Sequence, residues 1–467
     1  MHMSKSLDRC LLIAITISFC LTYADSTVLS IALPTIQHAL ASSLTTSLWI
    51  VNSYILARAV VTFAAGRVSD LFGHGKIFLY SLIVLAITSI FCALSANPFV
   101  LIIFRILQGI STTFIFISGL CILTTRSPDA KKARIISFVV GMAFASLAIA
   151  PVLGGILIKY SSWQTIFWAN GFIAFLSLCL SYRKLTDETH IRTSHPFDWL
   201  GSLFSALFTI FWTIAFQNSS MWGWTSFTFM SCIVLGCLFF IMFCRAEAKH
   251  PHPIVNLSLF NRPGFLANCL IAGLTQVGIM FIVFVGLFLQ ITFHMSPEKT
   301  ALFLLPMTIT GIIFSSVGGW LADKYNARLP AILGTGTACV GFIVTGLLLL
   351  FHSSYNSLLP LLILSGMGLF MINGPIRIKL LHNAVISEHG MINAILNGSR
   401  AIITAIGFSI TSSIITGMSH HRTNTTGFIC GLCFVGSLLL LSLLLAIFQR
   451  QYQPHVLESK LKLDEVA

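Results

Sequence analysis

Four ionisable side chains stand inside long apolar stretches of the sequence: Asp25, Arg58, Arg105 and Arg400. A charge inside a membrane is costly, so such residues usually serve a function and face a partner or an aqueous cavity. A carboxylate can take up and release a proton, and a guanidinium can hold that carboxylate or bind an anion. These residue types therefore indicate proton transfer and ligand binding at membrane depth.

Asp25 and Arg105 are predicted to lie at the same depth. At 1.5 Å per residue, they stand roughly 12 Å and 10 Å from the outer ends of their apolar stretches. The two could therefore pair, and Asp25 is the only carboxylate well inside the membrane. Arg58 and Arg400 fall nearer the midplane and are candidates for a substrate cavity. The alternative for all four charges is that they only fix helices together. For Arg400, this structural role and a role in the cavity are equally well supported by the sequence.

The composition assigns the chain to the membrane proteins. Of its 467 residues, 56% are hydrophobic and 9% are charged, whereas a soluble domain carries about a quarter charged residues. The formal net charge of +13 invites a nucleic-acid interpretation, but the distribution of the basic residues argues against one. The positive charge is expected to face the anionic headgroups of a lipid bilayer.

Fourteen windows of the sequence are apolar over roughly the twenty residues that a helix needs to cross a bilayer. The connections are short, so the sequence predicts an all-α polytopic membrane protein without an inserted soluble domain. The predicted spans are 11–33, 47–65, 77–95, 98–122, 136–158, 165–182, 198–217, 226–244, 265–290, 300–321, 329–351, 357–376, 391–417 and 426–448.

The basic residues predict the orientation. Of the 27 Lys and Arg residues, three lie inside spans, 21 lie in segments on the side of both termini, and three lie in segments on the other side. Because basic residues concentrate in cytoplasmic loops, we expect both termini in the cytoplasm. The compact loops fit a bacterial inner membrane.

A short polar motif occurs twice. Gly66, Ser69, Asp70, Gly73 and Lys76 mark the Gly66–Lys76 segment after span 2. A similar segment containing Asp323 follows span 10. Two copies predict two related six-helix halves with an inserted helix pair, 6 + 2 + 6, although chance could also place Asp, Gly and Lys in such loops. The predicted divisions are residues 1–185, 186–262, 263–450 and a cytoplasmic tail, 451–467.

Pro151, Gly154 and Gly155 stand together in span 5. Proline removes a backbone donor, and glycine permits close helix approach or a bend. This combination suits a helix at the interface between two halves, although ordinary packing of small residues explains it equally well. Asp70 has two interpretations as well. It either ends its helix or latches one conformation by facing the positive start of span 13, near Met391.

Taken as a set, these segments resemble the fourteen-helix drug:proton antiporters of the major facilitator superfamily. The resemblance covers about residues 20–415 and so includes the motif residues named above. The segments that carry it are Ala24–Pro34, Gly66–Lys76, Arg105–Gly109, Ala150–Gly155, Phe197–Gly201, Trp222–Trp224 and Pro253–Phe260. It implies that Asp25 and Arg105 take part in proton coupling, that Gly66–Lys76 is a conformational loop, and that Ala150–Gly155 is the antiporter motif of helix 5.

The chain departs from the family pattern at three places. Leu71 stands where the family has Arg after the loop Asp, and His74 and Gly75 precede Lys76 where two bases are usual. Ala150 replaces a Gly before Pro151. The charge network of the loop is therefore expected to be weaker here than in relatives.

The sequence thus predicts a proton-coupled secondary transporter that exports small molecules by alternating access. A facilitator or importer with the same fold, and a non-transporting membrane sensor, remain alternatives. Neither a phosphate-binding glycine loop nor a catalytic set is found, so we expect no enzyme, no cofactor and no metal. Small-molecule substrate, protons and the bilayer are the expected partners, without nucleic acid. We expect a monomer that works alone or with accessory envelope proteins.

Overall fold

The computed structural model describes residues 8–128, 132–186, 198–251, 253–351, 355–382, 389–421 and 424–449. Over these residues the regular structure is helical, with one 3₁₀ turn at Leu257–Asn261. The helices are α1 Arg9–Ala39, α2 Leu44–Phe72, α3 His74–Leu94, α4 Pro98–Arg126, α5 Lys132–Tyr160, α6 Gln164–Leu185, α7 Trp199–Trp222, α8 Phe227–Lys249, α9 Phe265–Met280, α10 Ile282–Thr292, α11 Pro297–Lys324, α12 Arg328–Leu350, α13 Tyr355–Met371, α14 Asn373–His382, α15 His389–His421 and α16 Asn424–Phe448.

All fourteen predicted spans have a helical counterpart among the described residues. Thirteen segments are long and apolar enough to cross a bilayer, and α5, which is bent, makes the fourteenth. Span 9 consists of α9 and α10, which meet at Phe281, and span 12 consists of α13 and the first part of α14. The all-α polytopic fold is therefore confirmed.

The bend in α5 has a local chemical cause. Its two parts, Phe138–Leu147 and Ile149–Tyr160, make an angle of 43°. Pro151 has no N–H to donate to the carbonyl oxygen of Leu147, four residues earlier. The Thr27 hydroxyl of α1 donates to that oxygen instead, at 3.3 Å. The proline thus bends the helix, and the neighbouring helix satisfies the backbone group that it frees.

The first six spans and the last six pack in the same order. In the first six, the main helix pairs are α1 with α5 and α6, α4 with α2 and α3, and α3 with α6. In the last six, α9 packs with α15 and α16, α13 with α11 and α12, and α12 with α16. Spans 1 to 6 thus correspond, in order, to spans 9 to 14: each pair of spans that packs together in the first set has a corresponding pair in the second. The exact domain limits stay a prediction.

The helices α7 and α8 pack on each other outside these two sets. Gln217 of α7 joins both sets: its Oε1 accepts from Asn52 Nδ2 of α2 at 2.8 Å, and its Nε2 donates to Ser412 Oγ of α15 at 2.9 Å. Asn52 Nδ2 also donates to Ser409 Oγ of α15, at 2.7 Å. A continuous polar network therefore fixes α7 against the line where α2 and α15 meet.

Two buried carboxyl groups meet at the other end of this helix pair. Asp198 Oδ1 accepts from the backbone N–H of Gly201, and Glu247 Oε2 accepts from that of Val255. The remaining oxygens, Asp198 Oδ2 and Glu247 Oε1, both approach Gly201 and have no hydrogen-bond partner among the described residues. Both side chains are buried, at 3% exposure.

The segment Gly66–Lys76 is not a loop over its whole length, which corrects the prediction. The helix α2 continues to Phe72, and α3 begins at His74, so Gly73 alone connects them. Gly73 has a φ of 93°, which glycine adopts readily. A prediction from hydropathy places the end of a span where polar residues begin. Outside the hydrocarbon core, however, polar residues can continue the helix.

The second copy of the motif also lies at the end of a helix. The residues Gly319 and Asp323 lie in the last turns of α11, and Asp323 is exposed. The connection to α12 runs from Tyr325 to Ala327, with the Asn326 side chain accepting from the backbone N–H groups of Arg328 and Leu329. Both copies therefore end a helix rather than form an extended loop.

Candidate transport site

The structure brings Asp25 of α1 and Arg105 of α4 together in the protein interior. Arg105 Nη1 lies 2.6 Å from Asp25 Oδ2, and each residue is 1% exposed. The second carboxylate oxygen, Oδ1, accepts from Asn170 Nδ2 of α6 at 2.8 Å. Because both oxygens accept hydrogen bonds, this arrangement suits an ionised carboxylate.

Arg105 is held by several further groups. Its Nη1 donates to Gln108 Oε1 at 2.9 Å, and its Nε donates to the Ile50 carbonyl oxygen of α2 at 3.3 Å. Its guanidinium carbon lies 4.2 Å from the centroid of the Tyr54 ring. Gln108 in turn donates to Ser89 Oγ of α3. The planar guanidinium thus uses its fixed donor geometry and its flat face at the same time.

Glycine at position 109 permits this arrangement. A Cβ there would lie 2.5 Å from the Tyr54 carbonyl oxygen and 2.9 Å from Ala57 Cβ, both on α2. Only glycine therefore lets α4 approach α2 so closely without displacing its backbone. This approach allows Arg105 to reach the Ile50 carbonyl and the ring of Tyr54.

A cavity of about 140 Å³ lies between the two sets of helices, beside this ion pair. Tyr23 and Ser26 line it from α1, whereas Asp25 faces away toward Arg105 and Asn170. Both predicted cavity residues, Arg58 and Arg400, line it as well. The remaining described lining residues are Ile55, Thr62, Thr113, Phe116, Ile117, Phe144, Leu147, Gln276, Ile279, Met280, Phe370, Asn397, Ala401 and Thr404.

The ring of Tyr54 connects the ion pair with the cavity. The guanidinium carbon of Arg58 lies 5.6 Å from the centroid of the same ring that Arg105 covers at 4.2 Å. The Tyr54 hydroxyl donates to the Thr22 carbonyl oxygen of α1, at 3.2 Å. One buried aromatic side chain therefore contacts Arg58, Arg105 and the helix that carries Asp25.

The residues of the helix-5 motif pack where the two sets of helices touch. A Cβ on Gly154 would overlap with Val28 Cγ2 of α1. A Cβ on Gly155 would lie 3.0 Å from Glu298 Cα of α11. Lys159 and Glu298 also form an ion pair of 3.4 Å between the same two helices. These contacts join the first six spans to the last six at the Tyr160 end of α5.

The motif at the end of α2 includes a set of local contacts between its own residues. Ser69 Oγ shares a hydrogen bond with His74 Nδ1 at 2.8 Å, and His74 Nε2 lies 3.6 Å from Asp70 Oδ1. Gly66 approaches α4, since its Cβ would lie 4.0 Å from Ile117 Cγ2, and Lys76 is exposed. The expected approach of Asp70 to the start of α15 stays a prediction.

Three residues of the site were not assigned a role from the sequence, although one of them, Gln108, lies in the Arg105–Gly109 segment. Asn170 and Tyr54 are neutral, and a polar amide or a tyrosine inside an apolar span gives only a weak signal. Gln108 had a usable signal, because it stands three residues after Arg105 and therefore on the same face of a helix. All three are buried and contact the ion pair directly.

The sequence matches the model of the Major Facilitator Superfamily over residues 15–408. It is similar to the tetracenomycin C resistance and export protein of Streptomyces glaucescens, at 30% identity over 69% of this chain and 60% of that protein. The chain therefore spans less than two thirds of that relative's length.

Two further comparisons cover more of both chains. The methylenomycin A resistance protein of Bacillus subtilis strain 168 is 28% identical over 86% of this chain and 87% of that protein. The crystal structure of a D-xylose-proton symporter superposes with a TM-score of 0.68 at 14% identity, covering 95% of this chain and 98% of the other. The structural likeness concerns the fold alone.

Proposed function

The chain belongs to the major facilitator superfamily, and from this membership we propose that it exports small molecules in exchange for protons by alternating access. The two six-helix halves would rock about the cavity between them, as in other transporters built from repeats. The names of the antibiotic-resistance and export proteins that it resembles support export. The bias of basic residues and the bacterial relatives support a location in a bacterial plasma membrane with both termini in the cytoplasm.

The observation that carries proton coupling is the buried pair of Asp25 and Arg105 beside the cavity. Protonation of Asp25 in this closed packing would leave Arg105 as an uncompensated buried cation. Breaking a buried pair in this way costs about 3–5 kcal/mol. Proton uptake therefore requires a conformation in which Arg105 gains water or another partner, which links protonation to a conformational change.

The position of Tyr23 and Ser26 suggests how substrate would act on this pair. Both line the cavity, and both lie within two residues of Asp25 on α1. Exchange requires substrate and proton to bind in turn. A substrate packed against this turn of α1 would hold Asp25 against Arg105 and Asn170 and would so favour release of the proton to the cytoplasm. After the substrate has left on the other side, separation of the pair would let the carboxylate take up a proton there.

Transport by the purified protein in proteoliposomes tests this function. An accumulation screen of dyes, antibiotics and secreted metabolites, in cells with and without the protein, first identifies a transported compound. An imposed pH gradient should then drive that compound uphill, and an ionophore that dissipates the gradient should abolish the accumulation. A facilitator would instead show only counterflow, with no uphill movement under any pH gradient. Uphill movement in the direction of the protons would indicate an importer.

A further inference from the structure

The central cavity has an excess of positive charge. Arg58 and Arg400 line it, and its described lining includes no Asp, Glu, Lys or His. Asp25 lies close by, but its carboxylate accepts from Arg105 and Asn170 and is 1% exposed. Its charge is therefore already balanced outside the cavity. A ligand in this space meets two guanidinium groups and no carboxylate of the described lining.

The two arginines come from opposite halves and lie at nearly the same level. Along the antiparallel helices α2 and α15, Asn52 bonds to Ser409, and Phe63 packs on Gly398. Interpolation between these contacts places Arg58 opposite residue 403. Arg400 is three residues away on α15, which is about 4.5 Å along the helix axis.

The rest of the cavity wall is largely aromatic and apolar. The ring of Tyr23 lies 5.9 Å from that of Phe116 and 5.2 Å from that of Phe144, measured between centroids. Met280 and Phe370 line the cavity from the other half. The volume of about 140 Å³ is close to that of an engineered cavity that takes up benzene. The cavity therefore suits an aromatic group that carries a charge.

We propose that the cavity binds an organic anion, with its carboxylate or other acidic group between Arg58 and Arg400 and its aromatic body against Tyr23, Phe116 and Phe144. Planar guanidinium groups match the geometry of a carboxylate, and each can donate two hydrogen bonds to it. An anion between the two arginines offsets their mutual repulsion. Because they belong to different halves, the bound anion also draws α2 toward α15.

This inference rests on the proposed transport function, but binding can be tested without transport. Benzoate, benzamide and benzylammonium are aromatic probes of similar size that differ chiefly in charge. Their affinities for the purified full-length protein are measured by equilibrium titration with ligand-observed NMR, at a fixed salt concentration. We expect benzoate to bind at least about tenfold more tightly than benzylammonium, with benzamide between them.

Variants then test the two arginines. Arg58→Gln and Arg400→Gln should each weaken benzoate binding about tenfold or more, since each loses charge-assisted hydrogen bonds. Arg400→Lys should retain much of the preference, because it keeps the charge. Lys249→Gln is the matched control: it removes one positive charge from an exposed site at the end of α8, and benzoate binding should not change.

Three results would overturn the inference, provided that gel filtration and thermal unfolding show folded protein. These are equal or tighter binding of benzylammonium, no benzoate binding at millimolar concentration, or unchanged benzoate affinity in both glutamine variants. Failure of uphill transport with an intact benzoate preference would reject proton-coupled export alone. Loss of the preference with intact uphill transport would reject the anion site alone.

Discussion

The contact between Gly155 of α5 and the start of α11 should hold the cavity closed at the Tyr160 end. A Cβ on Gly155 would lie 3.0 Å from Glu298 Cα and 3.1 Å from the Pro297 carbonyl oxygen. Both are backbone atoms, so neither can rotate away as the end of a side chain could. Gly155→Ala should therefore destabilise this closed arrangement, and it should not disturb an arrangement in which α5 and α11 have separated there.

The size of the effect follows from these distances. Few Cβ contacts in proteins are shorter than 3.4 Å, so the two helices must move apart by a few tenths of an ångström. Overpacking of this kind costs about 1–3 kcal/mol. Because the open arrangement lacks the contact, the whole cost should appear in the equilibrium between closed and open states. This equilibrium should shift toward the open state by about 5- to 150-fold.

A cysteine at position 30 can report the shift. Ser30 of α1 is fully buried, and its carbonyl oxygen would lie 2.9 Å from a Cβ on Gly286 of α10. Ser30→Cys is introduced into a background in which the twelve native cysteines are replaced. Its reaction rate with a membrane-impermeant maleimide is then measured in right-side-out vesicles.

Gly141→Ala is the matched control. It lies on the same helix, and its added Cβ would meet no atom within 4 Å, so both variants gain the same helix propensity. Labelling should be faster by about 5- to 150-fold in Gly155→Ala and unchanged in Gly141→Ala. An unchanged rate in Gly155→Ala would refute the role of this contact. Equal acceleration in both variants would attribute the effect to helix propensity.

Three further predictions follow from other contacts. Asp70→Asn should change labelling of the same reporter several-fold, since a charge near a helix end contributes roughly 0.3–1 kcal/mol when exposed; unchanged labelling rejects the latch. Arg105→Lys should lower uphill export at least about tenfold, because lysine cannot donate in a plane to Asp25 and its neighbours; export equal to the parent's contradicts this. Glu247→Gln should raise the free energy of unfolding at pH 8 by about 1 kcal/mol, since its amide can donate to the Asp198 oxygen; a lower unfolding temperature of the purified protein argues otherwise.

The fold could be predicted largely from hydropathy, because each span is a continuous apolar window. The ends could not: α1 extends to Ala39 and α2 to Phe72, beyond the predicted limits of 33 and 65. Polar residues continue a helix outside the hydrocarbon without a change in periodicity. The break at Phe281 was also missed, since the apolar composition continues through it. For span 5, in contrast, a bend was one of the possibilities that the sequence left open, and α5 is bent.

The site was predictable where charge marked it. Asp25 and Arg105 stood out because charges are rare in apolar spans and their estimated depths agreed. Asn170 and Tyr54 complete the arrangement, but neutral side chains carry little signal in a sequence, and their contacts depend on how α2 and α6 pack against α1 and α4. The same holds for the cavity. Its charged lining residues, Arg58 and Arg400, were identified from the sequence, whereas the lining residues Tyr23 and Phe144 became apparent only from the structure.

The central claim is that Asp25 couples proton movement to export. Asp25→Asn should abolish uphill accumulation of a transported dye driven by an imposed pH gradient in proteoliposomes. Downhill exchange of dye for dye should survive, because that cycle need not release a proton. Asp8→Asn is the control, since Asp8 pairs with Lys184 at the start of α1, outside the membrane. Accumulation by Asp25→Asn equal to that of the parent protein would contradict the account and require another proton route.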